Sequence, residues 1–239
     1  MANVGDRYAR VNARIAQALR AAERPAEAVT LVAVSKARSA AEVARLHRLG
    51  QRVFGESYLQ EALPKLDALA GLDLEWHFIG PLQANKTRRV AERFAWVHSV
   101  DRLKLAQRLN DQRPPGRPPL NVCLQVNISG EATKAGASPD AVPDLAAAIA
   151  RLPRLRLRGL MAIPAPGDDP DQARRPYRAL RQLAAELGAG GLPLDTLSMG
   201  MSDDLEAAIH EGATHVRVGT ALFGPRPPRG ALPGATGNQ

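Results

Sequence analysis

Eight short apolar runs alternate with longer segments of helical periodicity along this chain, and that rhythm constrains the fold more than any single residue does. The runs fall at 29–36, 52–56, 75–80, 95–100, 121–128, 156–163, 196–200 and 215–219. Helical segments separate them at 40–49, 58–69, 86–94, 102–110, 140–152, 172–187 and 205–210. A further amphipathic helix precedes the first run, with Tyr8, Val11, Ile15 and Leu19 on one face. Ser39 and Asp140 are suited to cap helices at their N-termini, and Gly50, Gly188 and Gly212 to stop them. Eight strand–helix repeats in 239 residues predict a single parallel (β/α)8 TIM barrel, an α/β fold, preceded by an N-terminal helix. An open doubly wound sheet would want a glycine-rich turn after the first strand, and Ser35-Lys36-Ala37-Arg38 has none. The barrel with its leading helix is expected to occupy 1–224, and the proline- and glycine-rich 225–239 to form a loose tail.

Composition excludes several classes of function. No stretch approaches the roughly 20 apolar residues of a membrane span. Arg7, Arg10, Arg14 and Arg20 interrupt what would have to be a signal-peptide core, so a cytoplasmic location without membrane contact is expected. The net charge of +8 comes mostly from arginines spread over the helical segments, and aromatic residues are 4% of the chain, which argues against a nucleic-acid partner. Cys123 is the only cysteine, and the histidines show no metal-ligand spacing, so neither a disulfide framework nor a metal site is expected.

In a barrel the C-terminal ends of all strands share the face that carries the active site. Lys36 ends the first apolar run there. Burial costs an ammonium its hydration and favours the neutral amine, which attacks aldehydes to form a Schiff base; a strand-end lysine that snorkels to solvent is the plainer reading. Ser198, Gly200 and Ser202 after strand seven, and Gly219 and Thr220 after strand eight, are the small-residue turns at which barrels often bind phosphate. A Schiff-base lysine with a phosphate cradle describes a site for a phosphorylated aldehyde, pyridoxal 5'-phosphate being the obvious one. Arg217 either faces the ring nitrogen of such a ligand or pairs with a carboxylate such as Glu211. His77, between Trp76 and Phe78, reads first as a hydrogen-bonded core histidine.

The segments Val34-Ser35-Lys36, Phe54-Gly55-Glu56-Ser57-Tyr58, Trp76-His77-Phe78-Ile79-Gly80-Pro81, Gly159-Leu160-Met161-Ala162-Ile163-Pro164, Ser198-Met199-Gly200-Met201-Ser202 and Arg217-Val218-Gly219-Thr220 resemble the pyridoxal phosphate homeostasis protein family, the YggS-like group. That family in turn resembles the N-terminal barrel of alanine racemase. The resemblance implies a fold-type III pyridoxal phosphate barrel without a C-terminal β domain. It implies that Lys36 carries the cofactor, that Arg217 faces the pyridine nitrogen, and that Ser198, Gly200, Gly219 and Thr220 hold the phosphate. The implied cofactor-binding set also takes in Ser57, His77, Met201 and Lys134. Ser57 departs from the family pattern, which usually has asparagine there.

The function this implies is cofactor homeostasis, buffering pyridoxal phosphate or delivering it to apo-enzymes, without an established catalytic reaction and with the chain acting as a monomer. Racemisation needs an acid/base group on each face of the substrate carbon, and related racemases take the second from a tyrosine of a second domain. Tyr8 and Tyr177 are expected on outer helices, leaving Tyr58 near the rim. A weak amino-acid racemase using Tyr58 or His77, and a cofactor-free Schiff-base aldolase, are the alternatives. Lys134, in a loop after strand five, is expected as an exposed amine that assists cofactor release.

Overall fold

The computed structural model describes residues 3–131, 134–165 and 169–225. Eight parallel strands close into a barrel in chain order, with the eighth paired to the first. They are β1 (Thr30–Val34), β2 (Val53–Glu56), β3 (Glu75–Phe78), β4 (Trp96–Val100), β5 (Leu120–Gln125), β6 (Leu155–Met161), β7 (Thr196–Ser198) and β8 (His215–Val218). Most strands stop short of the apolar run that announced them. Ser35, Val126, Ala162 and Met199 lie past their strand ends yet are buried, and each still donates its N–H to the neighbouring strand, to the Gly55, Met161, Ser198 and His215 carbonyls respectively.

The helices are α1 (Val4–Ala21), α2 (Ala40–Arg48), α3 (Leu59–Ala68), α4 (Thr87–Arg93), α5 (Leu103–Gln112), α6 (Val142–Ala150), α7 (Pro170–Ala189), α8 (Leu205–His210) and α9 (Thr220–Phe223). Helix α1 buries Val11, Ile15 and Leu19 and packs on α8 and α9. Ser39 caps α2 in a reciprocal box with Glu42, worth about 1 kcal/mol. Asp140 does not cap α6. It lies within a 3-10 turn, Pro139–Ala141, started by the fixed φ of Pro139, and α6 begins after Ala141 with no side-chain cap. Nor does Gly188 stop α7, which runs to Ala189; Gly190 takes the cap and Gly191 the left-handed turn at φ 90°.

The main apolar core lies between sheet and helices, and a second set of side chains fills the barrel itself. Along β4 and β8, Val97, Val216 and Val218 belong to the outer core, while Trp96, His98, His215 and Arg217 alternate to the other face. Trp96, Cys123 and Met161 form a separate apolar patch there, and the rings of His77, His98 and His215 pack around Trp96 with centroids 5.1–5.7 Å away. Among the described residues no helix is long and apolar enough to cross a membrane. The expected tail lies, from Arg226 onward, outside the described residues.

Candidate functional site

One pocket of about 800 Å³, counted to its open mouth, lies at the C-terminal face between the ends of β1, β2, β3, β6, β7 and β8. Lys36, Ser57, Met201, Arg217, Gly219 and Thr220 line it, with Ser202 and Arg38 beside them. Ser198, Gly200, His77 and Lys134 do not reach its lining.

Lys36 is not the last residue of β1. The strand stops at Val34, and Lys36 is half-buried in the following turn, where Ala37 takes φ 57°. A left-handed alanine is sterically disfavoured, so the turn must be held from outside. Ser35 does this: its N–H donates to Gly55 O at 2.9 Å and its hydroxyl to Glu56 Oε1 at 2.5 Å. The Ser35 carbonyl accepts from Lys65 Nζ at 2.8 Å, and the Ala37 N–H donates to Glu61 Oε2 at 3.0 Å. Lys65 also meets Glu56 Oε1 at 2.5 Å, both side chains being almost fully buried. Burial pushes the Glu56 carboxyl up from its ordinary value, with Lys65 pulling the other way. Nothing in the sequence analysis singles out Lys65. Its i, i+3 spacing from Ala62, on the buried stripe of α3, was the available signal.

Arg217 is 4% exposed and does not pair with Glu211. Its Nη1 donates to Ser198 Oγ at 2.8 Å and its Nη2 to the Ala162 carbonyl at 3.0 Å, so a buried cation rests on neutral acceptors. Glu211 is held instead by Arg174, Arg178 and Arg181 at 2.7, 3.1 and 3.4 Å.

The loop after β7 needs a glycine at Gly200. Its φ is 89°, and a Cβ would stand 2.5 Å from that of Ala208. Gly200 lies under the pocket, where its carbonyl accepts the Arg217 N–H at 2.9 Å. Asp204 shapes the rest of the loop, accepting the Met201 N–H at 2.5 Å and the Tyr177 hydroxyl at 2.6 Å. Tyr177 is on an outer helix as expected, but buried, and burial beside Asp204 pushes its hydroxyl far up from its ordinary value. The loop after β7 meets the first turn of α9 where the Ala221 N–H reaches Ser202 Oγ at 3.4 Å.

His77 is fully buried inside the barrel, bonded to His98 and Glu75. Lys134 is not an exposed amine: its side chain is 29% exposed and pairs with Glu131 at 2.7 Å. Tyr58 is exposed and faces a neighbouring cavity with Gln60, Gln83 and Lys86, which Ser57 shares.

Residues 9–227 match the family model of the alanine racemase N-terminal domain, and the closed barrel with its rim pocket places the chain in that class. It is 60% identical over 226 residues to the pyridoxal phosphate homeostasis protein of Pseudomonas aeruginosa, covering 95% of this chain and 97% of that one. With the Escherichia coli protein of the same name it shares 50% over 232 residues, covering 95% and 98%. The chain belongs to the pyridoxal phosphate homeostasis protein family. PipY of Synechococcus elongatus, solved with pyridoxal phosphate bound, superposes at TM-score 0.77 with 39% identity, over 88% of this chain and all, 100%, of that one. An alanine racemase of Corynebacterium glutamicum shares the fold at TM-score 0.67 and 21% identity, and this chain spans 64% of its length.

Proposed function

We propose that this chain holds pyridoxal phosphate in the rim pocket and buffers or delivers it, with no catalytic turnover of its own. The observation that carries the reading is the meeting, in one pocket, of the Lys36 amine, the buried Arg217 guanidinium and the loops after β7 and β8. The donor set fits the cofactor: an amine for its aldehyde, a fixed cation for its ring nitrogen, and small-residue turns for its phosphate. When bound, the cofactor would supply an aldehyde carbon for the Lys36 amine, its oxygen leaving as water. Gly219, Thr220 and the Met201–Ser202 segment would hold the phosphate, and Ser57 would border the ring. Ser198 and Gly200 act from beneath, through Arg217. A permanent cation at the ring nitrogen disfavours its protonation and leaves the ring a weak electron sink, which suits a carrier.

The weak-racemase alternative lacks support in this geometry. Tyr58 faces the neighbouring cavity, and His77 is committed inside the barrel. Titration with pyridoxal phosphate, borohydride reduction and peptide mapping test the reading. Label on Lys36 is expected, together with transfer of cofactor to an apo-enzyme. A protein that takes up no cofactor, or that racemises alanine over many cycles per second, contradicts it.

A further inference from the structure

Beneath the pocket, four hydrogen bonds run in series through the barrel. Arg217 Nη1 meets Ser198 Oγ at 2.8 Å, Ser198 Oγ meets His98 Nδ1 at 2.7 Å, His98 Nε2 meets His77 Nδ1 at 2.9 Å, and His77 Nε2 meets Glu75 Oε1 at 2.8 Å. Ser198, His98 and His77 are fully buried. Glu75, the first residue of β3, keeps 47% of its side chain exposed at the opposite mouth.

The ends of this chain dictate its polarity. A guanidinium only donates and a carboxylate only accepts. With both imidazoles neutral, a single arrangement satisfies every bond: His77 Nε2–H donates to Glu75, His98 Nε2–H donates to His77 Nδ1, and the Ser198 hydroxyl donates to His98 Nδ1. Ser198 Oγ is then left to accept from Arg217. Burial holds both imidazoles below their ordinary values, against the upward pull of Glu75 on His77, and the nearby His77, His215 and Arg217 lower His98 further, while the Glu75 carboxyl is held low by His77. The one proton of Ser198 is thus given to His98, and none remains for a phosphate in the pocket.

We propose that Glu75, His77, His98 and Ser198 are positioning residues for Arg217, acting as one directional hydrogen-bond chain that fixes how its guanidinium is presented to the pocket. Glu75 touches nothing in the pocket, yet its carboxylate decides which ring nitrogen of each histidine carries the proton, and so whether the Ser198 hydroxyl points its proton at His98 and keeps both lone pairs clear for Arg217. The inference deepens the cofactor reading, but its first test needs no cofactor.

Nitrogen-15 NMR of the cofactor-free protein near neutral pH should show His77 and His98 both neutral and both in the Nε2–H tautomer. An Nδ1–H tautomer or an imidazolium at either residue overturns the proposal, and this measurement on the unmodified chain stands even if a variant fails to fold. Glu75→Ala should speed solvent exchange of the Arg217 Nη protons and weaken pyridoxal phosphate binding, each by about fivefold, the scale of one hydrogen bond. Glu75→Gln, whose amide oxygen still accepts from His77, should restore both. Unchanged Arg217 exchange in a folded Glu75→Ala protein also overturns the proposal. Absence of pyridoxal phosphate binding by the unmodified protein would refute the cofactor reading, and the tautomer and exchange measurements would still decide the chain.

Discussion

Lys36 and Lys65 show how two lysines about thirty residues apart divide one task. Lys65 spends its charge on Glu56 and on the Ser35 carbonyl, and the turn so fixed presents Lys36 to the pocket. Lys36→Ala should therefore lose the borohydride-fixed label while keeping the fold, as circular dichroism would show; label of full intensity at another lysine would exclude Lys36 as the attachment point. Lys65→Met leaves Glu56 buried without its cation and should cost about 3–5 kcal/mol of stability in urea unfolding. Adding Glu56→Gln to it should recover much of that loss, because the uncompensated charge goes with it. Lys36 stands out in the sequence because an apolar run leads to it, whereas Lys65 lies on the buried stripe of a helix between Pro64 and Leu66, and its partners are set only once β1, β2 and α3 converge.

At the scale of elements, helix α7 reaches across to the loop after β7 through the Tyr177–Asp204 bond, and Asp204 in turn holds the Met201 N–H. Tyr177→Phe removes one hydrogen bond and should cost about 1 kcal/mol in stability. A loosened Met201–Ser202 segment should weaken pyridoxal phosphate binding as well, read by titration of the visible absorption band. Equal affinity in the variant would confine Tyr177 to the core. The helical periodicity put Tyr177 on a helix; that its hydroxyl faces inward to an aspartate twenty-seven residues away depends on how α7 docks against the rim.

At the scale of the molecule, the barrel interior carries three imidazoles where an apolar filling is more usual, and this gives stability a pH dependence of known sign. Burial holds His77 and His98 below their ordinary values and pulls His215 down to about 3. In the unfolded chain the same imidazoles take up protons below about pH 6.5, so through this window the unfolded state binds more protons and stability falls as pH falls. The slope should approach about 1.4 kcal/mol per pH unit for each imidazole, and His215→Gln should remove one share, as urea midpoints at a series of pH values would show. The amino-acid order was enough to specify eight strand–helix repeats, hence a closed parallel barrel and the rim on which Lys36, Arg217, Gly219 and Thr220 meet, because periodicity and chain order are local properties that closure converts into position. It also pointed to His77 as a core histidine, but it could not specify the partners of Arg217, the ion pair under Lys36, or the loss of Ser198, Gly200 and Lys134 from the pocket lining. The partners of Arg217 point into a shared interior from strands far apart in the chain, and which of them meet is settled by the register at which the barrel closes, while the ion pair is settled by how α3 docks on β1 and β2.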